Sequence, residues 1–324
     1  MGGDRFRLKP CTLAAASISL LFASPALWAN PTGPQVVSGQ VNFQQPNASV
    51  LNVTNSPGAI INWQGFSIGA SEVTRFVQQS ATSSVLNRVT GGNVSQIYGQ
   101  LLSNGRVFLI NPGGIVVGPG AIVDTAGFVA STLNMLDSDF LGGKLRFQGD
   151  ASSGAIINQG WIRTGYGGHV LLVAPTIENS GLIHTPGGEL ILAAGQKVTL
   201  ATLDLAGVQM EVQAPTDSVL NVGKLLADGG AVGVFAGTLR HSGEIRANSL
   251  VYDAAGQVVL QAQKEIQLAA GSATSADGKA GGSITVQSGG STSVAGAVSA
   301  TGSAGPGGSI QLLGSEVGIF ASCG

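Results

Sequence analysis

Charge is scarce in this chain. Asp, Glu, Lys and Arg make up 10% of 324 residues, and the formal net charge is −2. No dense Lys/Arg run follows the first ten residues. A binder of a phosphate backbone needs such a patch, so nucleic acid is not an expected partner. Cysteine is nearly absent, with Cys11 and Cys323 only. Cys11 falls in the leader described below, so the mature chain cannot form an internal disulfide, and its stability must come from packing. A disulfide-free chain is also easy to thread through a pore unfolded. Beyond the leader, no run of 18 apolar residues is free of breakers, which excludes a helical membrane protein. Proline is limited to 12 residues and the 50 glycines follow no three-residue period, which excludes collagen. Walker A and Gly-x-Gly-x-x-Gly patterns are missing. His169, His184 and His241 show no metal spacing, and one mature cysteine cannot build a zinc site. No cofactor, metal or catalytic residue is therefore expected.

What remains is apolar. Hydrophobic residues are 44% of the chain, too many for disorder. High Gly with many Val, Ile, Leu and Ala points to stacked β-structure with tight turns. At the N-terminus, Arg5, Arg7 and Lys9 precede the apolar stretch Thr12 to Ala23, and Ala-Leu-Trp-Ala ends at Ala29. This pattern reads as a secretory signal peptide over residues 1–29. Cleavage after Ala29 is expected, with cleavage after Ala26 (Ser24 at −3) as the alternative.

The second half repeats. Asn158, Asn179, Asn221 and His241 each stand two residues before a glycine. Each has an apolar residue two before (Ile156, Ile177, Val219, Leu239) and another four after (Ile162, Ile183, Leu225, Ile245). The spacings of 21 and 42 read as one and two units. The unit near residue 200 lacks the Asn. Later the period lengthens to 26, with Gly256, Gly282 and Gly308 each opening a strand. A unit of ~20 residues with short strands and Gly turns reads as one rung of a parallel β-helix. At ~22 residues per rung the mature chain predicts roughly 13 rungs and ~60 Å of axis. Asn158, Asn179 and Asn221, recurring in one register, are read as a structural hydrogen-bonded ladder.

Residues 36–135 are less repetitive but rich in β signals, and Glu72 is the only acid between Asn30 and Asp124. Here Ala59 to Gly69 (AIINWQGFSIG), Ser84 to Val89 (SVLNRV), Ile97 to Leu101, Asn104 to Ile115 and Gly127 to Thr132 occur in order. These stretches resemble the N-terminal secretion domain of two-partner secretion exoproteins, the filamentous haemagglutinin family. Asn111-Pro112-Gly113-Gly114-Ile115 stands where the family has Asn-Pro-Asn-Gly-Ile, and the Asn-Pro-Asn-Leu motif of some members is absent. The resemblance implies an all-β, right-handed parallel β-helix with N-terminal capping and extra-helical strands. It implies a secretion domain over 30–150 and rungs over 151–324 that continue into a fibre. It further implies a cognate outer-membrane transporter, whose soluble periplasmic domains meet the chain before it folds. Asn62, Trp63, Asn87, Arg88, Asn111 and Pro112 are then candidates for transporter recognition. The product would be secreted or displayed on a Gram-negative cell, as an adhesin whose surface ligand the sequence does not name.

Read without the family, Asn111–Gly114 is a turn between two buried strands. Trp63 is a core or capping residue rather than a ligand platform. Arg88 is a solvated charge or a partner for Glu72. Asp137 and Asp139 fall in a loop-like stretch, and His184 and His241 read as solvent-facing. Glu244 and Glu265, 21 residues apart, could stack, the minimum for the competing reading of a β-helix carbohydrate-active enzyme. A third reading is the export domain of a larger toxin. The final rungs reach Phe320 without a polar or helical cap, so the natural fibre is expected to continue past Gly324, with Cys323 exposed.

Overall fold

The computed structural model describes residues 30–149, 152–200, 208–211, 217–249 and 255–320. The leader, Cys11 and Cys323 lie outside them. The chain winds through parallel coils, and each full coil crosses three faces. The first face runs from the strand Ala59–Trp63 to the strand Ser309–Leu313. Nine parallel pairings link its ten strands. At ~4.8 Å per step, nine steps give an axis of ~43 Å. The parallel β-helix is therefore as the sequence implies, but with ten coils among the described residues against the 13 expected. The helix Asp137–Leu141 and the strands Leu145–Gln148, Lys197–Leu200 and Val208–Glu211 lie off the coil path, and residues 35–55 cap it, so fewer residues remain for rungs.

Side-chain alternation builds the interior. On the second face Ile115, Ile156, Ile177, Val219, Leu239 and Ile266 stack in one column through successive parallel registers. On the third face Val123, Ile162, Ile183, Leu225 and Ile245 do the same. All of these are 0–1% exposed. Each fully buried aliphatic side chain contributes about 1.5–3 kcal/mol, so the columns dominate stability. Glycines turn the corners for steric reasons. A Cβ on Gly188 would fall on the carbonyl of Gly168, and one on Gly230 on the carbonyl of Gly188.

The 42-residue step from Asn179 to Asn221 is one coil, not two. The strand Thr176–Asn179 pairs directly with Ser218–Asn221. The intervening residues carry the antiparallel strands Lys197–Leu200 and Val208–Glu211, and Leu145–Gln148 joins the same small sheet. Sheet and helix Asp137–Leu141 pack on the outer side of the first face. Ile60, Leu86, Phe108, Val129, Leu171 and Ile191 of that face meet Phe140, Phe147, Val198 and Leu200 of the layer. From Ala59–Trp63 to Ala231–His241 the first face is thus buried on both sides, whereas Gln257–Leu268 and Ser283–Ser288 alternate between buried and more exposed residues. Burial on both sides is why His169–Ala174 and Glu189–Ala194 read as continuous apolar runs instead of alternating ones. Asp137 and Asp139 belong to the helix, not to a loop.

At the N-terminal end, Gln35–Ser38 pairs antiparallel with Ala59–Trp63, and Val41–Asn47 pairs antiparallel with Val50–Asn55. These strands cover the edge of the first coil, which would otherwise template association.

Candidate functional site

The sequence-proposed recognition residues gather in the first coils, but not on one surface. Trp63 and Asn87 are both 0% exposed. The Trp63 Nε1–H donates to Asn87 Oδ1 at 2.9 Å, and Asn87 Nδ2 donates to the Phe108 carbonyl at 3.2 Å. Phe43 and Phe66 stand edge-on to the indole, each 5.7 Å between centroids, and Phe66 stacks on Phe76 at 6.5 Å. This aromatic plug closes the coil interior beneath the cap. Asn62 and Arg88 are register partners on the same two strands and point to the other side of the sheet, where both are half-buried.

Arg88 does not pair with Glu72. Its Nη2 donates to the Met135 carbonyl at 2.7 Å and to Asp137 Oδ1 at 2.6 Å, tying the first face to the helix layer. The alternation of the strand puts residue 88 outside the coil, so it meets what packs there. Glu72 accepts instead from the backbone N–H of Gly69 at 2.7 Å and of Asn30 at 2.8 Å.

Asn111 is 0% exposed. Its Nδ2 donates to the Asn93 carbonyl (2.9 Å) and to Ser95 Oγ (2.8 Å), and its Oδ1 accepts from Gly113 N–H at 2.9 Å. The turn back to Ile115 closes with Gly114 at φ +117°, which a side chain would strain. Pro112 is exposed and lines a cleft with Asn134, Leu136, Arg146 and Gln148. In the folded domain Trp63, Asn87 and Asn111 are sealed, and a partner can read them only before the coils close.

Asn158, Asn179 and Asn221 form a continuous column, all 0% exposed. Asn158 Nδ2 donates to Asn179 Oδ1 and Asn179 Nδ2 to Asn221 Oδ1, both at 2.7 Å. The column then meets His241, which is 1% exposed and not solvent-facing. The Asn221 amide reaches His241 Nδ1 at 3.1 Å, and Nε2 faces the Ala273 carbonyl at 3.3 Å. The consistent tautomer carries its proton on Nε2. Burial holds the His241 pKa below its ordinary value against the opposing pull of the Ala273 and Asn221 backbone carbonyls. The same strand alternation that buries Asn221 buries His241, because the two are register partners. His184 is half-buried on the third face. The pKa of His169 is lowered by burial and by the charge of Arg106.

Glu244 and Glu265 do not stack. Glu244 lies in register with Lys224 and Ala273 on the third face, while Glu265 lies in register with Thr238 and Ser291 on the second. Glu244 is instead held by Lys224 (3.0 Å) and Arg246 (3.2 Å). Gly65-Phe66-Ser67-Ile68-Gly69 spells the Gly-x-Ser-x-Gly of a hydrolase elbow, but its context differs. It lies between two coil strands rather than at a strand-to-helix turn, and Ser67 Oγ accepts from Gln96 N–H at 3.1 Å.

Comparison with known proteins bears on this arrangement. A model of the TPS secretion domain matches residues 28–314. The heme/hemopexin-binding protein of Haemophilus influenzae strain ATCC 51907 is 30% identical over 205 residues, 61% of this chain and 23% of that protein. A second heme/hemopexin-binding protein of Haemophilus influenzae is 35% identical over 123 residues, 36% of this chain and 13% of its own length. This chain thus matches less than a quarter of these relatives. The crystal structure of the HMW1 secretion domain from Haemophilus influenzae superposes with a TM-score of 0.83 at 30% identity, covering 90% of this chain and 82% of that one.

Proposed function

The chain belongs to the TPS secretion domain family, a family of secretion domains rather than of enzymes, and from that premise we propose that it brings an exoprotein to a dedicated outer-membrane transporter of a Gram-negative bacterium. The observation that carries the reading is the family match across residues 28–314, continuous with nearly all the coils. Residues 1–29 are the cleaved leader, 30–150 the part the transporter engages, and 151–324 the coils that lead into a fibre. The secreted or surface-displayed product is an adhesin.

The burial of Trp63, Asn87 and Asn111 supports an unfolded substrate. In an uncoiled chain, Ala59–Trp63 and Ser84–Val89 offer free strand edges that a periplasmic domain can take up by strand addition. Once outside, each emerging coil docks on the last and buries its columns, which draws the chain forward without nucleotide hydrolysis. The test is co-expression with the partner transporter. The full chain should reach the medium or cell surface only with the transporter present, and a chain lacking residues 59–69 should stay in the periplasm. Transporter-independent release, or normal release of the deletion, would overturn the reading.

The likeness to two heme/hemopexin-binding proteins favours a second reading, in which the exported product captures heme or hemopexin. Binding of hemin or hemopexin to the secreted protein, measured against adherence of displaying cells, separates the two.

A further inference from the structure

We propose that signal peptidase cuts the Ala29–Asn30 bond and that the α-ammonium group so created docks on the Glu72 carboxylate, locking the N-terminal cap onto the first coil. The sequence leaves two cut sites open, after Ala29 and after Ala26. Asn30 is only 5% exposed, and its backbone nitrogen lies 2.8 Å from Glu72 Oε2. The seat around it is built. Thr74 Oγ1 donates to Asn30 Oδ1 at 3.0 Å, and Asn30 Nδ2 donates to the Ala48 carbonyl at 3.4 Å. A Cβ on Gly69 would stand 3.1 Å from the Glu72 carboxylate, so glycine there lets the carboxylate close in. Glu72 is also the only acid between Asn30 and Asp124, so no neighbouring carboxylate in that stretch competes for a cation.

A second observation concerns the backbone. Among the described residues Asn30 is the only non-glycine at positive φ, +34°. That torsion exists only while Asn30 is joined to residue 29. Hydrolysis removes it: water adds across the amide, Ala29 leaves as the carboxylate end of the leader, and the Asn30 nitrogen takes up protons as an ammonium. One neutral N–H facing Glu72 becomes a cation with three donors, a shorter and stronger class of hydrogen bond. Two residues on, Thr32 pairs with Gly65 of the first coil (N–H to carbonyl, 2.8 Å), so the seated terminus pins the cap. A cut after Ala26 would leave Leu27, Trp28 and Ala29 attached and the amide neutral. Glu72 therefore acts as the receptor for a correctly processed terminus.

The inference rests on the export reading only in that the leader must be cleaved. The test takes processed protein from the periplasm or medium of cells expressing the full chain. N-terminal sequencing and intact mass should show a start at Asn30. Acylation of the α-amine should run about tenfold or more slower in native protein than in urea, the factor matching loss of one charged hydrogen bond. Glu72→Gln should raise the native rate toward that in urea. If that variant does not accumulate, the native-to-urea ratio of the unsubstituted protein decides. A start at Leu27 or elsewhere, or equal labelling in both states, overturns the proposal while leaving export intact. An uncleaved leader overturns both.

Discussion

His241 is a buried neutral imidazole at the end of an amide column, and its environment sets a sign for pH. Its folded pKa lies below the ordinary 6.5. The unfolded chain therefore binds more protons as pH drops below 6.5, and folding stability falls over that window. Above 6.5 the contribution is complete, and below the folded pKa the loss levels off. His169 acts in the same direction. The Asp277 carboxyl is held below 3.8 by Thr301 and Ser299 against its own desolvation, so its loss falls at lower pH. Urea midpoints at about pH 7.5 and about pH 5 should differ, and His241→Asn should shrink the difference. An unchanged difference would show that His241 is not the titrating group. In mid-column, Asn179→Leu strands the Asn158 amide and the Asn221 carbonyl oxygen, at a cost of about 1–3 kcal/mol each. Hydrogen exchange should quicken most in the coils around residues 158–221.

At the scale of elements, Arg88 is a polar tie between the helix layer and the coils. The Arg88 and Asp137 side chains are 17% and 39% exposed, so their ion pair contributes no more than about 1 kcal/mol. Arg88→Ala should leave the melting temperature nearly unchanged. It should speed exchange at Phe140 and Lys144, whose amides bond Leu136 and Asp139, but not at Val85 or Val107. Glycine corners behave differently. Gly188→Ala would place a methyl on the Gly168 carbonyl in a stack that cannot spread, so a loss of about 3 kcal/mol or more is expected. Gly165→Ala is the control, because a Cβ there meets nothing within 4 Å. Equal melting curves for the two variants would refute the steric account of the corners.

For the whole molecule, the two ends of the solenoid differ. The first coil is roofed by antiparallel strands and plugged by Trp63, Phe43 and Phe66. In the last described coil, Ser309–Leu313 and Glu316–Ile319 pair with the coil before them. Ile319 and Phe320 there are 71% and 59% exposed. Such an edge pairs with whatever strand it meets. Sedimentation should show self-association of the isolated chain that Ile319→Lys reduces. A strictly monomeric chain at tens of micromolar would contradict this.

Local pattern carried the coil. Period-two apolar residues, glycines at the corners and an Asn recurring over three turns are properties of neighbouring residues, and they sufficed for stacked parallel strands and for the columns at Ile177 and Ile183. The family resemblance rested on equally local stretches, such as Ala59 to Gly69. What the sequence did not disclose depends on which coil lies on which. The 42-residue step from Asn179 to Asn221 looks like two units until the strands are seen to pair directly, with the antiparallel pair Lys197–Leu200 and Val208–Glu211 set off the coil path. His241 looks solvent-facing until it takes the buried register of Asn221. Arg88 meets Asp137, 49 residues away, because strand alternation turns it outward and the helix layer lands there. Those contacts are long-range, and only tertiary packing brings their partners together.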